Sequence, residues 1–308
     1  MITTDILIIG GGPAGLTAGL YAARSGRKAL ILEKEGFGGQ IAYSPRVENY
    51  PGIASIAGAE LAESMLMQAM DAGAETDVAT VCSLAFENGL WIADTEDGGR
   101  YAAPAVIVAA GARHRQLGLP GEEDLCGSGV SYCAVCDGSF YKGQDVAVAG
   151  GGDTALQEAL LLSGICRSVT LIHRRRSFRA EEALVKAAQE KDNIRFCLPC
   201  TVEALLSDAG ELRGVTVKDV ETGESRELDV KALFVAYGQE PATAPFASVL
   251  RLSGAGYVTG DAGEALAPGL FAAGDCRDKS VRQLTTAVGD GACAALAACR
   301  YLEGRDRG

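Results

Sequence analysis

A short apolar run ending in a glycine-rich turn restricts this chain more than any other feature, and the chain contains it twice. Asp5-Ile-Leu-Ile-Ile9 is too short and too uniformly apolar for an amphipathic helix and reads as a buried strand. Gly10-Gly-Gly-Pro-Ala-Gly15 makes the turn, Leu16 to Ser25 a helix stopped by Gly26, and Lys28 to Glu33 a second strand. The same grammar returns 140 residues later, with strand Asp145–Ala149, turn Gly150-Gly-Gly-Asp-Thr-Ala155, helix Leu156–Ser163 and strand Ser168–His173. In such a turn one glycine permits the tight bend. A second lets the backbone approach a pyrophosphate, and a third lets helix and strand pack closely. The phosphates then lie at a helix N-terminus, where free N–H groups favour anions.

Two such β-α-β units predict an α/β protein with two Rossmann-like three-layer dinucleotide-binding domains. The 308 residues suit two domains. Gly269-Leu-Phe-Ala-Ala-Gly-Asp275 and the alanine-rich helix Ala287–Arg300 read as a return to the first domain. The second domain is therefore expected to be inserted in the first, with 1–115 and 245–308 forming one and 116–244 the other. The joints fall near His114–Pro120 and Gly238–Ala244. Asn193 to Val202 reads as a strand leading into a loop, and Leu228 to Tyr237 as one strand.

The two turns differ where a ribose is expected. Counting 23 positions from Gly10 reaches Glu33, and the same count from Gly150 reaches His173, followed by Arg174-Arg-Arg176. A carboxylate accepts hydrogen bonds from ribose hydroxyls but repels a 2′-phosphate, which histidine and arginine bind. The first site therefore suits FAD or NAD, and the second suits NADPH. Two different dinucleotides in one chain imply an electron relay, with FAD and NADPH the natural pair.

Cys133-Ala-Val-Cys136-Asp137 stands a few residues before the second nucleotide-binding strand. A dithiol at this spacing can close a small disulfide, and Asp137 is placed to move a proton when a thiolate forms or leaves. The same spacing also fits half a zinc site. Cys197-Leu-Pro-Cys200 lies 61 residues after Cys136, too far for an ordinary four-cysteine zinc motif, and is expected to be structural.

A net charge of −12 gives nucleic-acid binding no electrostatic support. No run of about 20 apolar residues predicts a membrane span. The ten cysteines are scattered through α/β sequence, which points to a reducing cytoplasm rather than a secreted disulfide framework. With only His114 and His173, a histidine-rich metal centre has no ligands.

From Ile6 to Leu302 the chain resembles the low-molecular-weight, bacterial-type thioredoxin reductases. The resemblance rests on Gly10–Gly15, Gly38-Gly-Gln40, Val47-Glu-Asn-Tyr-Pro-Gly52, Gly118-Leu-Pro-Gly121, Cys133-Ala-Val-Cys-Asp-Gly138, Gly150–Ala155, His173-Arg-Arg175 with Arg179, Ala273-Gly-Asp275 and Arg282-Gln283, in that order. It implies NADPH-dependent reduction of the disulfide of a thioredoxin-like protein, by way of FAD and Cys133–Cys136, in a homodimer. It also implies that Gly10, Gly12, Ala14, Gly15 and Glu33 hold the FAD pyrophosphate and ribose. Gly39, Gln40, Asn49, Gly111, Asp275, Arg282 and Gln283 surround the rest of that cofactor. Gly152, Asp153 and Thr154 meet the NADPH pyrophosphate, and His173, Arg174, Arg175 and Arg179 its 2′-phosphate. Cys136 would face the flavin, Cys133 would attack the substrate disulfide, and Asp137 would donate the proton. Three departures stand out: Ala110 replaces a usual threonine, Asp153 puts an acid beside the pyrophosphate, and the Tyr237-Gly-Gln-Glu-Pro241 joint differs from the commoner wording.

Three rivals remain open. One is a related flavoprotein acting on a small-molecule dithiol. The others are a non-catalytic NADPH-binding redox sensor and a zinc module built from Cys133, Cys136, Cys197 and Cys200. A glutathione-reductase-type enzyme is disfavoured, because no C-x-x-x-x-C follows the first β-α-β unit.

Overall fold

Ile6, Leu7, Ile8 and Ile9 are all buried in the computed structural model, which describes residues 1–307. A strand apolar on both faces needs a layer on each side. Ile6–Ile9 lies at the centre of a five-stranded parallel sheet, ordered Leu270–Ala272, Ala105–Val108, Ile6–Ile9, Ala29–Glu33, Glu75–Val78. Ile6, Ile8, Ile31 and Ile107 point to one side, where they pack on Leu16, Ala18 and Ala22 of helix Pro13–Arg24. Ala294, Ala295 and Ala298 of helix Leu284–Asp306 join that layer. Leu7, Ile9, Leu30, Leu32 and Val106 point the other way, onto Val81, Leu84, Trp91 and Tyr101. These last residues belong to a second sheet ordered Ile2–Thr3, Arg100–Ala103, Leu90–Thr95, Val81–Glu87. The period-two alternation of the strands thus assigns each side chain to its layer. Each fully buried Leu or Ile contributes about 1.5–3 kcal/mol of transfer free energy.

The second unit repeats the plan. Its parallel sheet runs Val130–Ser131, Ala232–Val235, Asp145–Ala149, Ser168–Ile172, Ile194–Cys197. Val146, Val148, Val169 and Leu171 meet Leu156, Ala159 and Leu162 of helix Asp153–Ser163, together with Ala188. Ala147, Ala149, Leu233 and Val235 meet Val202, Val215 and Val217 of a three-stranded antiparallel sheet. That sheet comprises Cys200–Asp208, Glu211–Asp219 and Ser225–Leu228.

The compact units are Met1–Arg113 with Glu240–Gly308, and His114–Gln239. The two crossings of the chain, Ala112–His114 and Gln239–Pro241, pair as a two-stranded ribbon.

Two local expectations need correction. Cys200 does not enter a loop, because Leu198-Pro199 only interrupts the run and Cys200–Asp208 continues as the first strand of the antiparallel sheet. Leu228 to Tyr237 is not one strand either. The polar stretch Asp229-Val-Lys231 lies between an edge strand of the antiparallel sheet, Ser225–Leu228, and a central strand of the parallel one, Ala232–Val235.

Candidate functional site: two nucleotide cradles and a dithiol

The C-terminal ends of the parallel strands carry the chemistry in both units, as they do in open α/β sheets generally. In the first unit Gly10 follows the central strand at φ +111°, a region that disfavours side chains. A Cβ on Gly15 would stand 1.8 Å from the Gly10 carbonyl oxygen, so helix Pro13–Arg24 starts directly against the strand end. Glu33 ends the next strand. Its Oε2 accepts the Gly11 N–H at 2.6 Å, and its Oε1 accepts the Lys34 N–H at 2.9 Å.

Gly39 opens a 3-10 turn over this bend, where a Cβ would lie 3.1 Å from Gly12 Cα. Gln40 Nε2 donates to the Ala112 carbonyl, next to Gly111. Asp275 follows the outer strand Leu270–Ala272. Burial raises its carboxyl above the usual aspartate range, against the opposing pull of Lys279. Its Oδ1 is buried with no hydrogen bond, although Lys279 Nζ lies 3.2 Å away as an ion pair. Arg282 Nε donates to the Asp275 carbonyl at 3.2 Å, and its guanidinium covers the Tyr257 ring at 4.1 Å. Asn49 Nδ2 donates to Gln283 Oε1 at 3.3 Å. Every residue expected at the first cofactor therefore lies in this unit. The tight glycine backbone, Glu33 and the buried Asp275 carboxyl beside Lys279 fit a group carrying a pyrophosphate and hydroxyls.

In the second unit the ring of His173 takes the place that Glu33 has in the first. A Cβ on Gly151 would fall 2.3 Å from its Cε1 and Nδ1, so only glycine lets the ring rest on the turn. His173 stacks on Phe178 at 5.4 Å, and its Nε2 is buried without a hydrogen-bond partner. Burial lowers its pKa, with the positive charges of Arg174, Arg175 and Arg179 adding to that effect. Three cations around an unsatisfied ring nitrogen fit a phosphate and suit no ribose hydroxyl alone.

The arginine loop is tied to the glycine turn, since Arg179 N–H donates to the Gly151 carbonyl at 2.9 Å and Glu181 N–H to Asp153 Oδ1 at 2.7 Å. The second bond gives the departure at Asp153 a structural use. Arg176 differs from its neighbours, being engaged by Glu221 through Nε at 2.8 Å. Gly152 caps helix Asp153–Ser163, and Thr154 is exposed in its first turn.

Cys133 and Cys136 are joined as a disulfide. Cys133 is the N-cap of the short helix Ala134–Asp137, and its sulfur accepts the Cys136 N–H at 3.2 Å. An N–H aimed at sulfur favours a thiolate once the bond is reduced. Asp137 is largely buried, which raises its carboxyl pKa, and the Ser131 hydroxyl donates to its Oδ2 at 2.6 Å in opposition. Ser131 Oγ also accepts the Cys133 N–H at 3.1 Å, so one hydroxyl holds both ends of the dithiol segment. Upstream, the buried Glu122 accepts the Leu117 and Gly118 N–H groups and the Tyr132 hydroxyl, each at 2.8 Å. This knot gives Gly118-Leu-Pro-Gly121 a structural role beside the dithiol strand.

Sequence reasoning passed over Ser131 and Glu158. Glu158 Oε1 accepts the Ala134 N–H at 3.4 Å, while Oε2 is buried with no partner. The available signal was its spacing, four residues after Thr154 on the helix that the glycine turn begins. Burial pushes the Glu158 carboxyl up to about 7. Between pH 4.5, the ordinary glutamate value, and about 7 the folded chain keeps a proton that the unfolded chain releases. Stability therefore falls as pH rises through that window. Glu158→Gln is expected to flatten this slope and to gain on the order of 1–3 kcal/mol relative to the parent at pH 8 over pH 5. Urea midpoints of both proteins at the two pH values measure it, and an unchanged difference would contradict a buried carboxylate.

Among the described residues no group of three or more His, Cys, Asp or Glu side chains could hold a metal ion. No helix among them is long and apolar enough to cross a membrane.

Comparison with known proteins agrees with this geometry. The thioredoxin reductase of Bacillus subtilis is 40% identical over 301 residues, covering 97% of this chain and 95% of that protein. The bifunctional thioredoxin reductase/thioredoxin of Mycobacterium leprae is 43% identical over 97% of this chain, which spans 66% of that longer protein. The crystal structure of thioredoxin reductase from Streptococcus pyogenes superposes with a TM-score of 0.94 at 39% identity, covering 98% of this chain and 99% of that one. The family model for pyridine nucleotide-disulphide oxidoreductases matches residues 4–291, and with two nucleotide cradles and a disulfide-bonded C-x-x-C in place, the chain belongs to that family.

Proposed function

We propose that this protein is an NADPH-dependent flavoprotein disulfide reductase whose substrate is the disulfide of a thioredoxin-like protein. The observation that carries the reading is the Cys133–Cys136 disulfide, held with Asp137 by Ser131 in the unit whose glycine turn meets His173. The first unit is assigned to FAD, through Gly10, Gly12, Ala14, Gly15, Glu33, Gly39, Gln40, Asn49, Gly111, Asp275, Arg282 and Gln283. The second is assigned to NADPH, through Gly152, Asp153, Thr154, His173, Arg174, Arg175 and Arg179.

Bound FAD supplies the two-electron step between nicotinamide and dithiol. The chain's own residues do the rest. The reduced Cys133 sulfur, with the Cys136 N–H aimed at it, attacks the substrate disulfide and forms a mixed disulfide. The Cys136 sulfur then displaces the substrate and closes the internal bond again. Asp137, whose pKa burial raises, gives its proton to the departing thiolate, and Ser131 orients the carboxyl by donating to its Oδ2. The relatives named thioredoxin reductase support this choice of substrate. A homodimer in a reducing cytoplasm completes the proposal, on family resemblance and cysteine usage.

The test is NADPH oxidation coupled to thioredoxin reduction by the FAD-loaded protein. Turnover with a purified thioredoxin is expected. Turnover only with small dithiols or disulfides would instead favour the small-molecule flavoprotein.

A further inference from the structure

Behind the proposed 2′-phosphate site lies a second pair of thiols. Cys197 ends one strand and Cys200 begins the next, with Leu198-Pro199 between them. The two grip His173 through the backbone, since His173 N–H donates to the Cys197 carbonyl at 3.2 Å and Cys200 N–H to the His173 carbonyl at 2.8 Å. Both thiols are free, and burial pushes the Cys200 thiol up to about 11, with the neighbouring Cys197 adding to that effect. Arg226 Nη2 donates to Cys197 Sγ at 3.2 Å.

A structural pair of small hydrophobes needs no cation on its sulfur. Here the Arg226 N–H holds the Cys197 sulfur as its acceptor, and thiolate is the nucleophilic form of a cysteine. Both residues are buried, Cys197 at 2% exposure and Cys200 at 4%, which excludes a protein or a bulky disulfide as reactant. Leu198, between them in sequence, lines an open cleft of about 510 Å³ with Phe178, Val185 and Phe196.

We propose that Cys197 and Cys200 form a second oxidisable dithiol, taking a small peroxide and lowering affinity for NADPH when oxidised. Cys197 sulfur attacks one peroxide oxygen, the O–O bond breaks, and the sulfur becomes a sulfenic acid while the other oxygen leaves as hydroxide and is protonated to water. Cys200 sulfur then attacks Cys197 sulfur, the S–O bond breaks, and a second water leaves with the Cys200 proton. Two thiols thus lose two electrons and two protons to one hydrogen peroxide. Closing the bond draws the two cysteines to disulfide spacing. Because their backbones are the two partners of His173, the ring is pulled from its seat on Gly151. The effect on affinity rests on the assignment of His173 to the 2′-phosphate, whereas the bond formation does not.

The experiment treats the FAD-loaded protein, with Cys133–Cys136 already oxidised, with hydrogen peroxide. It reads the peptide holding Cys197 and Cys200 by mass under non-reducing conditions, and then the apparent NADPH and NADH affinities from anaerobic flavin reduction. Loss of two hydrogens from that peptide, reversed by dithiothreitol, is expected. A roughly threefold to tenfold weaker affinity for NADPH but not NADH should accompany it, as for the loss of one ordinary hydrogen bond. Cys200→Ala should show neither change, and Arg226→Leu should slow the bond formation. A peptide that stays in the thiol form, or a closed bond with unchanged NADPH affinity, overturns the proposal. Failure of the 2′-phosphate assignment would appear separately, as an untreated protein that does not distinguish NADPH from NADH.

Discussion

Cys133→Ser is expected to lower disulfide reduction by roughly a thousandfold or more, as loss of an attacking nucleophile does, while NADPH-driven flavin reduction survives. The two steps separate because Cys133 takes no part in delivering hydride to the flavin. With its partner gone, Cys136 is left as a free thiol that can ionise, and as a thiolate it should add a long-wavelength charge-transfer absorbance to the oxidised FAD-loaded protein. Cys136→Ser should lose disulfide reduction equally but show no such band. The pair of spectra assigns the roles, and a band in Cys136→Ser alone would exchange them. Asp137→Asn should keep the Cys133→Ser spectrum when combined with it, because the aspartate handles protons and not electrons.

Removing the cations at the second cradle has the next largest effect. Arg174→Ala with Arg175→Ala is expected to weaken NADPH by roughly tenfold to a hundredfold, the ~1.5–3 kcal/mol of a hydrogen bond to a charged group. NADH should hardly change, since it lacks the 2′-phosphate these side chains are proposed to hold. Both arginines are exposed, so their removal leaves the core intact. Arg176→Ala is an internal control, because that guanidinium is engaged by Glu221 and should matter far less. Steady-state KM for both nucleotides gives the answer, and equal loss for NADPH and NADH would end the assignment.

The cradles were legible in sequence because their determinants are local. A strand apolar on both faces, glycines at fixed offsets and one residue 23 positions on suffice to distinguish Glu33 from His173. The structure adds the contacts behind that contrast, Glu33 on the Gly11 N–H and the His173 ring against Gly151. What sequence hid depends on packing between separate elements. Glu158 reaches Ala134 across 24 positions of chain, and its spacing from Thr154 does not by itself mark a buried carboxylate. Ser131 looks like any strand serine until folding sets its hydroxyl between Cys133 and Asp137. The continuation of the chain as a strand at Cys200 is likewise set by packing, with Leu198-Pro199 as the connection. That connection lies between two strands of different sheets.

Anaerobic titration of the FAD-loaded protein with NADPH tests the central claim most directly, because it counts where electrons go. If they pass through FAD into Cys133–Cys136, full flavin bleaching should need about two equivalents of NADPH per chain, one for each redox pair. Cys133→Ser should need about one. Bleaching of the parent protein by a single equivalent, with Cys133–Cys136 still disulfide-bonded, would contradict the relay.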